Sequence, residues 1–315
     1  MLTRRKYLAA TAKVGALLAL GPRLAAAQAQ GAVIKRPIPK TGEEIPIIGF
    51  GSSATFQEVA AQADVDAVGE VLRAMLDNGG TVFDTAPSYG ASEEVSGRAA
   101  NQLGIADQLF WATKLNVVPF RSTAPADPAA ARRQLETSIE RIGRTPDLIQ
   151  VHNIADMATQ FPILEEAKQA NRVRYIGTTS TFKPQYEALE QLMLNEPFDF
   201  IGIDYAVDNL SAEERLFPIA QERGIAVMVY MPFGRTRRWD RVDGHEVPDW
   251  AREFGAETWA QFFLKFAASH PAVTVVTPAT GRPHHMVDNM TAARGRLPDE
   301  RERRRMIELI ESLPS

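Results

Sequence analysis

Eight short apolar runs rich in β-branched residues, separated by stretches of helical periodicity, restrict this chain to a small set of folds. The runs fall at 45–50, 81–84, 109–114, 148–152, 173–177, 198–204, 225–230 and 273–277. Most are bounded by Gly, Pro, Asp or Asn, as strands are. Between 65 and 76 apolar residues recur at spacings of three and four, and Asn78-Gly79-Gly80 closes the pattern. The stretch from Asp127-Pro128 to Ile142-Gly143 has a capping residue and proline at its start and glycine at its end. Residues 184–194, 212–223 and 257–269 read as helices in the same way, and 298–313 as a charged covering helix. Such alternation predicts parallel strands joined by right-handed crossovers. Eight units in roughly 285 residues predict a (β/α)8 TIM barrel, an α/β fold occupying 30–315 as one domain.

An open doubly wound sheet is the competing architecture, because 49–54 matches the G-x-G-x-x-A dinucleotide fingerprint. Two expected partners of that fingerprint are missing. No acidic residue ends a second strand about 20 positions later, Asp84 being too distant, and no long apolar helix begins directly after Ala54. The barrel is the better reading.

Residues 1–29 belong to another category. Arg4-Arg5-Lys6 precede an Ala- and Leu-rich run from 9 to 20, Gly21-Pro22 breaks it, and small residues follow to Ala29. This is the layout of a cleavable leader, too short to span the membrane and interrupted by Lys13. The adjacent arginines resemble a twin-arginine export signal, which implies the export machinery as partner, cleavage near Ala27 or Ala29 and a periplasmic location. No stable membrane insertion is expected of the mature chain. Cysteine is absent, which excludes disulfides, thiolate metal sites and cysteine nucleophiles. A net charge of −4 argues against a general nucleic-acid binder.

In a barrel of this type chemistry sits at the C-terminal ends of the strands. Reading only those ends, the second run leads through Asp84 to Tyr89, the third ends in Lys114 and the fourth in His152. Each alone has an ordinary explanation: a turn aspartate, a rim aromatic, a solvated lysine, a hydrogen-bonded structural histidine. Together they imply more. Lys114 follows a run that should be buried, and a buried ammonium without a partner costs several kcal/mol. Asp84 is the natural partner.

In these residues the sequence resembles the aldo-keto reductase family. The resemblance rests on Gly79-x-x-x-Phe83-Asp84-Thr85-Ala86-x-x-Tyr89-Gly90, on Thr113-Lys114 and on Val151-His152, and it extends to 229–234 and to 278–289. It implies NADP-dependent (or NAD-dependent) reduction of a small-molecule aldehyde or ketone. Tyr89 would be the general acid, Lys114 the cation that makes it a better one, Asp84 the support of that cation, and His152 the group that orients the carbonyl. For the cofactor, the resemblance implies Tyr230 against the nicotinamide or as a rim aromatic, with Pro232 and Gly234 following it. Thr179 and Ser180 would lie beside the carboxamide. Thr280, Gly281 and Arg282 would meet the adenosine phosphate, and Arg282 favours NADP over NAD. His285 would contact a 2′-phosphate or cap the next helix; Asp288 and Asn289 continue that segment, Asn289 toward the adenine edge or simply at the surface. Gly202 and Met231 depart from the family pattern, Gly202 standing where a carboxamide-binding Gln is usual, with Asp204 or a water as substitute.

Phe56, Phe120, Trp239 and Trp250 are candidates to line an apolar substrate pocket. The arginine-rich stretch 235–241 would be a lid over the pyrophosphate, a site for an acidic partner or a solvated loop. A cofactor-sensing binding protein with little turnover is the alternative function, suggested by Gly202. Metal-dependent hydrolysis needs several histidines and carboxylates at strand ends, and only His152 of five histidines lies there.

Overall fold

The computed structural model describes residues 31–62, 64–234 and 237–314, so the leader expected over 1–29 lies outside the described residues. A two-stranded antiparallel hairpin, β1 (Lys35–Pro37) and β2 (Glu44–Pro46), comes first. Eight parallel strands follow in sequential order around one sheet. They are β3 (Phe50–Gly51), β4 (Val82–Asp84), β5 (Phe110–Leu115), β6 (Leu148–Val151), β7 (Tyr175–Ser180), β8 (Phe200–Asp204), β9 (Ala226–Tyr230) and β10 (Val273–Val276). The sheet closes where the Gly49 N–H donates to Val276 O and the Gly51 N–H to Pro278 O, both at 2.9 Å. Parallel bridges from Ile48 to Val276 and from Gly51 to Ala279 complete the seam. The fold is the (β/α)8 barrel.

The glycines of the dinucleotide-like match allow close approach on both sides of β3. A Cβ on Gly49 would stand 2.9 Å from Val82 Cβ, and one on Gly51 would stand 2.8 Å from Thr277 O. The run at 45–50 therefore divides: its start ends the hairpin, and its last residue opens the barrel. Strand β1 has no sequence signal, since Lys-Arg-Pro shows no apolar alternation. Its role emerges only in three dimensions. Ile38 and Ile45 pack with Val82, Phe110, Leu148, Phe200 and Met228, so the hairpin plugs the N-terminal end of the lumen.

The helices form where periodicity and caps place them. Val65–Asp77 starts at Asp64, whose side chain accepts from the Ala67 N–H, and its apolar stripe Val68, Val71, Leu72 and Met75 is buried. Pro128–Ile142 starts at the Asp127 cap and stops at Gly143, which takes a left-handed conformation. The C-terminal helix Glu300–Ser312 carries a capping box between Asp299 and Glu302 and buries Met306 and Ile310. No helix among the described residues is long and apolar enough to cross a membrane.

Helix Ser92–Gln102 approaches Pro128–Ile142 so closely at Gly97 that an added Cβ would lie 2.0 Å from Arg141 O. Helix propensity alone would make Gly97→Ala stabilising by roughly 1 kcal/mol. Overpacking reverses the sign, so this variant is expected to lose about 1–3 kcal/mol in urea unfolding. A gain in stability would show that the two helices are not in that contact.

Candidate active site

Alternation along the strands decides which side chains reach the barrel mouth. Phe110 and Ala112 of β5 lie in the lumen cluster, so Lys114 continues the same row. By the same parity Val82 leads to Asp84, Leu148 leads to Gln150 and then His152, and Met228 leads to Tyr230. The top of the lumen is thereby polar while its lower layers are apolar.

At the centre is a buried ion pair. Lys114 Nζ donates to Asp84 Oδ1 at 2.7 Å, to Asp84 Oδ2 at 2.8 Å and to Thr85 O at 2.9 Å. Its three protons thus meet three acceptors. Lys114 is 1% exposed and Asp84 2%. Burial pushes the Asp84 carboxyl up and the Lys114 ammonium down, and the charge of each opposes the shift of the other. On the opposite face of β5, the Thr113 hydroxyl donates to Glu93 at 2.6 Å, and Arg141 reaches the same carboxylate at 3.4 Å.

Two aromatic rings flank the ammonium, Tyr89 with its centre 5.3 Å from Nζ and Tyr230 at 5.2 Å. The imidazole of His152 meets the Tyr89 ring edge-on, centroids 5.9 Å apart. Burial, then the Lys114 charge, lower the His152 pKa to about 3, so the ring is neutral at ordinary pH. Its Nδ1 is buried with no hydrogen-bond partner among the described residues. A phenol in water ionises near pH 10, and an adjacent ammonium makes it a readier proton donor. A neutral imidazole can hydrogen-bond a carbonyl oxygen without protonating it. The arrangement is suited to protonating an oxygen that gains negative charge.

These groups open into a cavity of about 380 Å³ lined by Asp84, Tyr89 and His152. Thr179, Tyr230 and Pro232 line it too, as the sequence suggests, and the Thr179 hydroxyl accepts from the Asn153 N–H at 3.0 Å. Ser180 stands one residue further along β7 and so faces the other side of the barrel wall. Its hydroxyl is hydrogen-bonded to Gln185 at 2.8 Å rather than turned to the cavity. Asp204 does not stand in for a side chain at Gly202, being engaged by the Tyr186 hydroxyl and by Asn209. Beyond β10 the cavity reaches Thr277 and Ala279, and none of Thr280, Gly281, Arg282, His285, Asp288 or Asn289 lines it. Thr280 accepts from the Arg282 N–H, Gly281 packs under Val59, and Arg282 and His285 are exposed. Asp288 accepts from Thr258 and Gln261, bracing the start of helix Trp259–Ser269, and Asn289 is buried.

Of the four aromatic candidates, Phe120 and Trp239 line the cavity, 50% and 38% exposed. Phe56 does not, because its ring is locked edge-on against Phe50 and Phe83 in the core. Trp250 lies against Phe254 and Phe262 with the Arg305 guanidinium over its ring. One residue escapes the sequence reading. Gln150 sits two positions before His152, and the strand period could have revealed it. Arg238 belongs to the arginine-rich stretch 235–241, but no linear pattern shows that it is buried. It is 2% exposed, paired with Asp208, and its Nε and Nη1 have no partner among the described residues. With Gly234 it borders a second cavity of about 210 Å³ that shares Thr181 and Met231 with the first.

The sequence profile of the Aldo/keto reductase family matches residues 47–304. The chain therefore belongs to that family, a class of NAD(P)H-dependent oxidoreductases. It is 23% identical over 305 residues to an aldo-keto reductase of Gibberella moniliformis, covering 85% of this chain and 92% of the relative. It is 30% identical over 204 residues to Aldo-keto reductase YhdN of Bacillus subtilis, covering 61% and 60%. Among solved structures, an aldo-keto reductase from Klebsiella pneumoniae in complex with NADPH superimposes with a TM-score of 0.71 at 25% identity, covering 89% of this chain and 96% of that one.

The neutral state of His152 has a measurable consequence. The unfolded chain binds this proton near pH 6.5 and the folded chain near pH 3, so the unfolded state holds more protons between those values. Stability contributed at this site is therefore lost as pH falls through that window. NMR should show a His152 imidazole that does not titrate between about pH 5 and 8. Lys114→Met, which removes the neighbouring charge, should raise its pKa. Ordinary titration near pH 6.5 in the unsubstituted protein would contradict the described burial.

Proposed function

We propose that this chain reduces an aldehyde or ketone to the alcohol with NADPH, and that Tyr89 donates the proton. One observation carries the reading: an ammonium held by three acceptors lies against the Tyr89 ring, at the base of a cavity where a neutral His152 also points. The cavities suit a dinucleotide in the character of their donors. Thr179, Asn153, Tyr230 and Pro232 border the space for a nicotinamide. The nitrogens of Arg238 that have no partner among the described residues, beside Gly234, suit a phosphate. Thr280, Gly281 and Arg282 would serve the adenosine end, Arg282 and His285 a 2′-phosphate, and Asn289 the adenine. Asp288 would act by bracing that segment, and Ser180 through Gln185.

When bound, the reduced nicotinamide supplies the hydride. Lys114 keeps positive charge beside Tyr89, which favours release of the phenolic proton to the developing alkoxide. Asp84 keeps the ammonium charged and fixed in place. His152 donates a hydrogen bond that sets the angle of the carbonyl. Phe120 and Trp239 present apolar surface at the mouth, so the preferred carbonyl compounds carry an aromatic or bulky apolar group.

The expected outcome is NADPH oxidation by the purified protein with an aromatic aldehyde. Tyr89→Phe should lower kcat by at least about 100-fold while nucleotide affinity stays within about twofold. Unchanged turnover in that variant would remove Tyr89 as the acid. Tight NADPH binding without turnover would instead favour the cofactor-sensing alternative.

Residues 1–29 we read as a leader that sends the folded, cofactor-loaded protein to the periplasm. Replacing the pair by Arg4→Lys, Arg5→Lys should leave the protein in the cytoplasm. Export at the normal level would overturn that route.

A further inference from the structure

Gly202 and Tyr230 occupy adjoining strands and face the same lumen. A Cβ on Gly202 would stand 2.3 Å from Tyr230 Cε2 and 2.8 Å from its hydroxyl oxygen. The tyrosine ring therefore fills the volume that any side chain at 202 would need. Leaning into that space brings its hydroxyl to 3.2 Å from Asp84 Oδ1 and 3.0 Å from Gln150 Oε1, two acceptors that share its single proton. The Gln150 amide is oriented by its other end, where Nε2 donates to Thr178 O at 3.2 Å, so its oxygen faces the phenol. Asp84 is thus approached by two groups from opposite sides of the barrel, Lys114 from β5 and Tyr230 from β9.

We propose that Tyr230 is a positioning residue of the proton-donating centre: its hydroxyl braces Asp84 across the lumen, and it reaches Asp84 because position 202 is glycine. The role lies beyond stacking on a cofactor ring, since it belongs to the hydroxyl and not to the ring. It rests on the reading of Tyr89 as proton donor. Burial disfavours charge on both Asp84 and Lys114, and a second donor to the carboxylate favours its ionised form. With that donor gone, the pair holds less charge and Lys114 helps Tyr89 less. The other ionisable groups around the centre are accounted for. His152 is neutral above about pH 3, and Glu93 is held by Thr113 and Arg141.

The test compares Tyr230→Phe and Gly202→Ala with the unsubstituted full-length protein, using NADPH and an aromatic aldehyde. Tyr230→Phe keeps the ring and removes only the hydroxyl. Its kcat should fall about tenfold, and the high-pH limb of the kcat profile should move up by roughly half a unit. The NADPH dissociation constant, read by fluorescence quenching, should stay within about twofold. Gly202→Ala displaces the ring and should reproduce the shift of that limb, with circular dichroism reporting whether it folds. If it does not fold, Tyr230→Phe decides alone. A Tyr230→Phe enzyme with an unaltered pH profile and kcat overturns the proposal, as would a shift accompanied by an equal loss of NADPH affinity. Tyr89→Phe keeps the two readings apart. If it stays active, the proton-donor reading itself fails; if it is inactive while Tyr230→Phe behaves as the parent, only the bracing role falls.

Discussion

The polar end of this barrel is organised around one ammonium. Lys114 is buried at a depth where an unpaired charge would cost several kcal/mol, and it is retained because Asp84 and the Thr85 carbonyl take all three of its protons. Removing one partner from such a pair is generally costly, about 3–5 kcal/mol, because the remaining charge stays buried. The same cation then acts in one sense on its two neighbours, disfavouring a bound proton on each. It favours loss of a proton from the phenol of Tyr89, and it keeps a proton off the imidazole of His152. For His152 burial is the larger cause of neutrality and the Lys114 charge adds to it.

The rest of the barrel makes that position tenable. The lower lumen is sealed by Ile38 and Ile45 from the hairpin and filled by Phe110, Tyr175, Phe200 and Met228. Water is excluded from beneath the ion pair, and the field of Lys114 is correspondingly less screened. The mouth carries the irregular backbone. Asn153, Ile154, Asp156 and Met231 all have positive φ, a conformation that residues with side chains adopt at a cost. The Asn153 N–H is held by the Thr179 hydroxyl of the next strand. Rigid strands below and constrained loops above hold Tyr89 and His152 in edge contact.

Much of this was legible along the chain. Composition and spacing mark residues 82–84, 110–115 and 148–151 as strands, and the ends of those strands point to Asp84, Lys114 and His152. Tyr89 followed from its place after Asp84. The failures have specific causes. The family resemblance places Ser180 with Thr179 beside the carboxamide, yet neighbours in a strand face opposite ways and the Ser180 hydroxyl is turned to Gln185. Phe56 and Trp250 read as pocket residues because they are aromatic residues in connecting segments, but the first lies in the hydrophobic core and the second covers a helix.

The sequence alone determined the alternation of strand and helix, and with it the barrel and the set of groups delivered to its C-terminal end. Those features depend on periodicity and on residues close together in the chain, which a linear pattern records. Tertiary structure alone decided that Tyr230 would cross to Asp84 over Gly202, that Arg238 would be buried beside Gly234, and that the short hairpin would seal the floor. Each of those depends on the volume left between elements far apart in sequence, and that volume exists only once the barrel has closed.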